Sequence, residues 1–224
     1  MREARMIRLP RPDRLAQDMD FVLAAIRRTR KCEHRRPLVY KLRADYKARR
    51  ECAMLLGLSL FYVGAVLILN GLWMLGRIGE REIAVINLFT GGLTLLVSLK
   101  LALGEGADAE SIKAAALSLL FSLTYLWFAF NRLSAADGRG LGWFSLFVAI
   151  TAVPVAIDTL STASTLWGWW SGLSWAAWAL LWLLFFVMLV LNKPVVRFTA
   201  AMAIAQGVLT GWLPGYLLLT GAIG

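Results

Sequence analysis

The chain has 224 residues, 59% of them hydrophobic, with a mean hydropathy of +0.64 and a formal net charge of +10. That hydropathy excludes a soluble globular domain of this length. The charge is concentrated: residues 1–53 hold 16 of the 24 Lys+Arg and 7 of the 14 acids, a net of +9, which leaves a net of +1 for residues 54–224.

The N-terminal stretch comes first. It holds Cys32, Cys52 and His34, so residues 54–224 contain no thiol and no imidazole. They offer no disulfide, no zinc or haem ligand set and no histidine proton switch, and neither a metal nor a cofactor is expected. Residues 1–53 carry no signal-peptide core, since "FVLAAI" is only 6 residues long. Their basic runs show neither a regular basic face nor a nucleic-acid-binding motif, and no nucleic-acid partner is expected. Translation is expected to begin at Met54, with 1–53 an extension outside the native protein; a native tail of unassigned role is the other reading. Western-blot sizing of the native protein separates the two.

Six apolar runs follow, near 55–75, 83–103, 113–132, 142–160, 169–191 and 197–221. Each meets the length of roughly 20 apolar residues that a bilayer-spanning helix needs. The expected fold is an all-α membrane protein of six transmembrane helices over 54–224. Arg77 and Arg81 follow the first run, Arg132 and Arg139 the third, and Lys193 and Arg197 the fifth. The fourth connection has no Lys or Arg, so the odd-numbered loops face the cytoplasm and both ends of the six-helix body face out. Sixteen basic residues ahead of the first run contradict that orientation, a second reason to place the start at Met54.

Asn70, Asn131 and Asn192 each close an apolar run at a spacing of 61 residues, and the sequence has only one other asparagine, Asn87. This regularity reads as one two-helix hairpin written three times around a central pore. The three asparagines are read as caps at the cytoplasmic helix ends. Leu56, Leu60, Val63 and Leu67 share one face of the first helix, and Trp175, Trp178 and Trp182 share one face of the fifth. The period makes Leu56, Leu117 and Trp178 equivalent, and likewise Leu60, Phe121 and Trp182.

From Met54 onward the chain resembles the AmiS/UreI family of urea and amide channels. The matching segments are "MLLGLSLFYVGAVLILNG", "VINLFTGGL", "LLFSLTYLW", "GWFSLFVAITAVP", "WAAWALLW" and "GVLTGWLP", one in each helix and in order. The short second loop looks more like the amide-transporter branch. The resemblance implies passive passage of urea or short aliphatic amides toward a cytoplasmic amidase or urease. It also implies a homo-oligomer, as a hexamer with one pore per protomer, in the bacterial inner membrane. It places pore-lining residues at Leu56, Leu60, Val63, Leu67, Phe121, Tyr125, Trp178 and Trp182; Leu117 is added on the repeat alone, and Trp175 on its helix face. Gln206 stands where the acid-activated urea channels carry a glutamate. A glutamine keeps the hydrogen-bonding capacity without the titratable proton, so it is a pore contact in a channel that acid does not activate.

An uncharged bore suits a neutral amide, whose desolvation costs about 2–7 kcal/mol against tens for a bare charge. Tyr125 OH and an indole N–H are expected to replace part of the lost hydration. Trp143, Trp167, Trp169 and Trp170 are read as an interfacial aromatic belt, Asp158 as a solvated helix end and Lys100 as a snorkelling lysine. Gly207, Gly211 and Gly215 permit close helix contact within a protomer or between protomers. Gly91, Gly92 and Pro154 are places where the second and fourth helices could be disturbed, and Pro214 is expected to bend or end the regular hydrogen bonding of the sixth. An enzyme is excluded for want of any catalytic constellation. A proton- or cation-coupled transporter of small amides is the alternative function, and a structural or sensory membrane protein would show no flux.

Overall fold

The computed structural model describes Tyr46, Lys47 and residues 50–223, so the expectations for residues 1–45, and with them most of the 1–53 extension, lie outside the described residues. Chain contacts divide the molecule into two compact units, and the second, Cys52–Gly224, holds the helices discussed below. Among the described residues, six helices are long and apolar enough to span a bilayer. They are α1 (Arg50–Met74), α2 (Ile83–Leu103), α3 (Ala109–Ser134), α4 (Arg139–Ser161), α5 (Leu166–Leu189) and a sixth span, Val196–Leu219. The sixth span consists of α6 (Val196–Gln206), a π-helical turn (Gly207–Trp212) and α7 (Leu213–Leu219).

Local chemistry sets the ends. α3 starts earlier than its apolar run because Asp108 and Ser111 form a reciprocal cap. The Ser111 N–H donates to Asp108 Oδ1 at 2.8 Å and the Asp108 N–H donates to Ser111 Oγ at 2.9 Å. Hydrogen bonds from Ser111, chiefly that of its N–H, hold the Asp108 carboxyl below the usual carboxylate range. α5 starts at Leu166 because Thr165 Oγ1 accepts from the Gly168 N–H. The asparagine caps need correction: only Asn192 lies beyond its helix, in the left-handed conformation at φ 51°. Gly76 at φ 74° and Ala135 at φ 54° end α1 and α3 instead. Helical turns continue past Asn70 and Asn131, so their amides face neighbouring helices. Asn70 and Asn87 exchange hydrogen bonds of 3.2 and 2.7 Å, and Asn87 Nδ2 also donates to the Ile83 carbonyl. Both amides of this α1–α2 link are buried. Asp158 does lie near the exposed end of α4, paired with Lys113 at 3.5 Å, and Lys100 is exposed in the last turn of α2.

The helices of the second and third sequence repeats are not the most closely packed pairs. The tight interfaces join the second helix of one repeat to the first of the next: α2 to α3, α4 to α5, and the sixth span to α1. In lipid no hydrophobic drive separates helices from their surroundings, so contact geometry and internal hydrogen bonds decide. α2 runs unbroken through Gly91, where the missing side chain admits Leu126 of α3 and the Gly91 carbonyl accepts from Ser122 Oγ at 2.7 Å. α4 runs on through Pro154 as well.

The sixth span meets α1 backbone to backbone, so the glycine stripe works within the protomer. A methyl group on Gly211 would lie 2.5 Å from the Gly64 Cα, and one on Gly64 would overlap the Trp212 N–H. The π-helical turn sits at this contact. The Leu213 N–H bonds to the Val208 carbonyl, five residues back. In that register the Leu209 carbonyl would need an N–H from Pro214, which has none. Trp170 Nε1 donates to it instead, at 2.9 Å. The hydrogen-bond register shifts just before Pro214, and the span continues through it.

Gly64→Val should cost about 1–3 kcal/mol or more through overpacking against immovable backbone, whereas Gly92→Ala, with open space at that position, should cost nothing measurable. Thermal melting of both variants in detergent, followed by size-exclusion chromatography, checks the contrast.

Candidate functional site

α1, α3 and α5, the first helix of each repeat, supply most of the walls of two internal cavities. The larger is about 270 Å³. It lies toward the N-terminal ends of these three helices and includes Leu56, Leu60, Val63, Leu117, Phe121, Trp175 and Trp178. Leu56 stands at its rim, 43% exposed. The smaller is about 30 Å³, little more than a water needs. It lies toward the end where Arg77, Arg81, Arg132 and Lys193 are found, and includes Leu67, Phe121, Tyr125, Trp178 and Trp182. Ten of the eleven residues expected in the site therefore face one cavity or the other.

Phe121 and Trp178 face both cavities and form the partition between them. Their ring centroids are 4.9 Å apart at 82°. Trp182 lies 4.8 Å from Phe121 on another side, Trp175 6.0 Å away and Tyr125 6.5 Å. Phe121 is thus the hub of a five-ring cluster in edge-on and tilted contact, arrangements worth about 0.5–1.5 kcal/mol per pair beyond area burial. Among the described residues, no Asp, Glu, Lys, Arg or His contributes to either wall. An ion there would lose its hydration with no counter-charge to replace it.

Gln206 stands apart. It is 4% exposed, faces neither cavity, and neither atom of its side-chain amide has a hydrogen-bond partner. Its main-chain carbonyl accepts from Thr210 Oγ1. The indoles also differ from expectation. Trp178 Nε1 donates to Thr210 Oγ1 at 2.8 Å and Trp182 Nε1 donates to Thr124 Oγ1 at 3.3 Å, so neither N–H is free for a solute. Trp167 and Trp170 form part of the larger cavity wall rather than a belt. Trp143 and Trp169, at 58% and 51% exposure, remain on the outer surface.

The hydroxyl groups of the larger cavity escaped the sequence reading. Ser59, Ser118, Ser171 and Ser174 face it beside the apolar stripes. Ser171 and Ser174 precede Trp175 and Trp178 by four residues, the spacing of one helix face, and that was the available signal. At the opposite end Arg132 is held by Glu80 at 2.9 Å and lies over the Trp73 ring at 4.9 Å. The cation belongs to the base of the bundle and stays out of the walls.

The AmiS/UreI family transporter profile matches residues 55–222, the whole of the six-helix unit but its ends. The chain belongs to the AmiS/UreI family. It is 43% identical to an amidate-substrate transporter protein of Mycolicibacterium smegmatis over 169 residues, covering 74% of this chain and 76% of that one. It is 38% identical to an acid-activated urea channel of Helicobacter pylori over 189 residues, covering 73% and 97%. The structure resembles the Helicobacter pylori urea channel in its closed state, with a TM-score of 0.69 at 36% identity, covering 75% of this chain and all of that one. Membership makes this a multi-pass membrane transporter and not an enzyme.

In this AmiS/UreI protein a cysteine at Ser118, introduced after Cys32 and Cys52 are replaced, should react with a membrane-impermeant thiol reagent from one face of the membrane only. One at Ser145, buried in the smaller cavity beyond Phe121 and Trp178, should not react from that face. Labelling of both from the same side would mean that Phe121 and Trp178 do not divide the path.

Proposed function

We propose that this protein is a passive channel of the bacterial inner membrane for urea and short aliphatic amides, supplying a cytoplasmic amidase or urease. The observation that carries this reading is the uncharged, aromatic partition between two cavities, walled by the first helix of each repeat. Leu56, Leu60, Val63, Leu67, Leu117, Phe121, Tyr125, Trp175, Trp178 and Trp182 line the proposed path. A planar neutral solute slides between flat rings at modest desolvation cost, and the hydroxyls of the larger cavity offer passing hydrogen bonds. Conduction needs such contacts to be weak. The names of the relatives support the solute class, one an amidate-substrate transporter and the other a urea channel. The proposed assembly is a homo-oligomer, a hexamer by family resemblance, with a path in each protomer. Native mass spectrometry of the detergent-solubilised protein checks that number.

The coupled-transporter alternative has one structural feature in its favour, the interrupted sixth span, since cation-coupled transporters use broken helices with bare carbonyls. Here the carbonyl freed by the π-helical turn, that of Leu209, is taken by Trp170 Nε1. That carbonyl is therefore not bare, as a cation site of this kind would need.

Stopped-flow measurements on proteoliposomes test the proposal. Urea and acetamide flux should scale linearly with concentration and ignore imposed proton or sodium gradients; accumulation driven by either gradient favours the alternative. Phe121→Ala should remove the partition and raise flux of butyramide relative to urea by about tenfold, as expected for loss of one large hydrophobic contact.

Acid should not activate the channel. His34 is the chain's single histidine and Gln206 has no ionisable proton. Asp108 and Asp137, in the loops, are held below the usual carboxylate range, the first chiefly by hydrogen bonds from Ser111 and the second by those from Arg139. A depressed carboxylate contributes stability that is present above its unfolded pKa and is lost only as pH falls through the lower folded value. Both loops are thus expected to keep their hydrogen bonds at pH 5. Flux should change less than about twofold between pH 7 and pH 5; a steep rise would refute this part of the reading.

A further inference from the structure

Trp178 of the partition and Trp182, which packs on Phe121 beside it, are anchored by the same device, built from different helices. Trp178 Nε1 donates to Thr210 Oγ1, and that hydroxyl donates its own proton to the Gln206 carbonyl at 2.7 Å. Trp182 Nε1 donates to Thr124 Oγ1, whose proton goes to the Leu120 carbonyl at 2.6 Å. Each threonine has one proton and commits it to the carbonyl four residues back in its own helix. The lone pair left over then points in a fixed direction. An indole N–H can donate but never accept, so only one ring orientation satisfies each pair. Trp178 is buried at 7% exposure and Trp182 at 5%, so a ring that swung away would give up a buried hydrogen bond.

Phe121, between the two indoles, has no polar atom and no such anchor. Thr210 also depends on the π-helical turn, which contains it and sits opposite α5 because of the backbone contact with α1. The 61-residue period does not relate Thr124 to Thr210, so this pairing is a product of the folded bundle and not of the repeat.

Resting on the channel reading above, we infer that Thr210 and Thr124 are positioning residues that fix the width of the path by locking Trp178 and Trp182, and so set which amides pass by size. The two indoles form rigid walls, and their N–H groups hold the walls in place instead of binding solute.

Thr210→Val and Thr124→Val keep the side-chain shape and remove the hydroxyl, whereas Thr210→Ser and Thr124→Ser keep the hydroxyl. The full-length proteins are reconstituted in proteoliposomes, and urea, acetamide and butyramide permeabilities are measured. The same proteins in detergent are examined by ultraviolet resonance Raman in the band that reports indole N–H hydrogen bonding. Each valine variant should lose part of the hydrogen-bonded indole signal and raise the butyramide-to-urea permeability ratio by about fivefold, the factor expected from one ordinary hydrogen bond. Each serine variant should return both readouts to the wild-type values. An unchanged Raman band in the valine variants shows that the anchors do not exist and overturns the inference. A changed band with an unchanged ratio also overturns it, because the anchors then do not set the aperture. Should Thr210→Val fail to fold, Thr124→Val, in the regular part of α3, carries the same test. Absence of any amide flux in the wild type would instead overturn the channel reading, and the aperture inference with it.

Discussion

The bundle closes because its first and last spans touch through bare backbone. Gly64 and Gly211 meet where either side chain would collide with main-chain atoms that cannot yield. Within lipid, helices gain nothing by hiding apolar surface from each other, so closeness of approach and internal hydrogen bonds must hold them together. Closing the ring at α1 and the sixth span turns three repeats into an enclosure. That closure points the leucine, phenylalanine and tryptophan stripes of α1, α3 and α5 at one another.

The π-helical turn sits at the same contact and connects it to the aromatic partition. Its shifted register leaves one carbonyl, that of Leu209, facing a proline that cannot donate. A membrane interior does not tolerate an orphaned carbonyl, since no water is there to satisfy it. Trp170 supplies the missing donor, while Thr210, one residue further on, receives Trp178. A local irregularity that would be costly alone thus becomes a docking rail for α5. The glycine contact on one side and the indole donors on the other hold the sixth span between α1 and α5.

Charge is managed by exclusion from the interior. Seven acids and eight bases remain after residue 53, and those with a partner in the structure find it near the helix ends, as Arg132 with Glu80, Lys113 with Asp158 and Arg139 with Asp137. Buried polar groups are instead short and neutral, such as the Asn70–Asn87 pair and the α2 hydroxyls of Thr94 and Ser98, which donate to carbonyls of their own helix. An interior of this kind offers neutral hydrogen-bonding groups without fixed charge.

The sequence by itself determined the six spans, the threefold repeat and the helix faces that carry the site, because apolar length and helical periodicity are local properties of the chain. The spacing of Trp175, Trp178 and Trp182 suffices to put them on one face, and the repeat to align Phe121 with Trp182. Only the tertiary structure decided what each polar atom does. Asn70 looked like a cap and became half of an interhelix pair; Gln206 looked like a pore contact and lines neither cavity. Trp167 and Trp170 looked interfacial and became cavity wall. Hydrogen-bond partners in a membrane bundle come from helices distant in sequence, as Thr210 does for Trp178 across 32 residues and Thr124 for Trp182 across 58. A periodic pattern shows which face of a helix is inward, but not which donor meets which acceptor there.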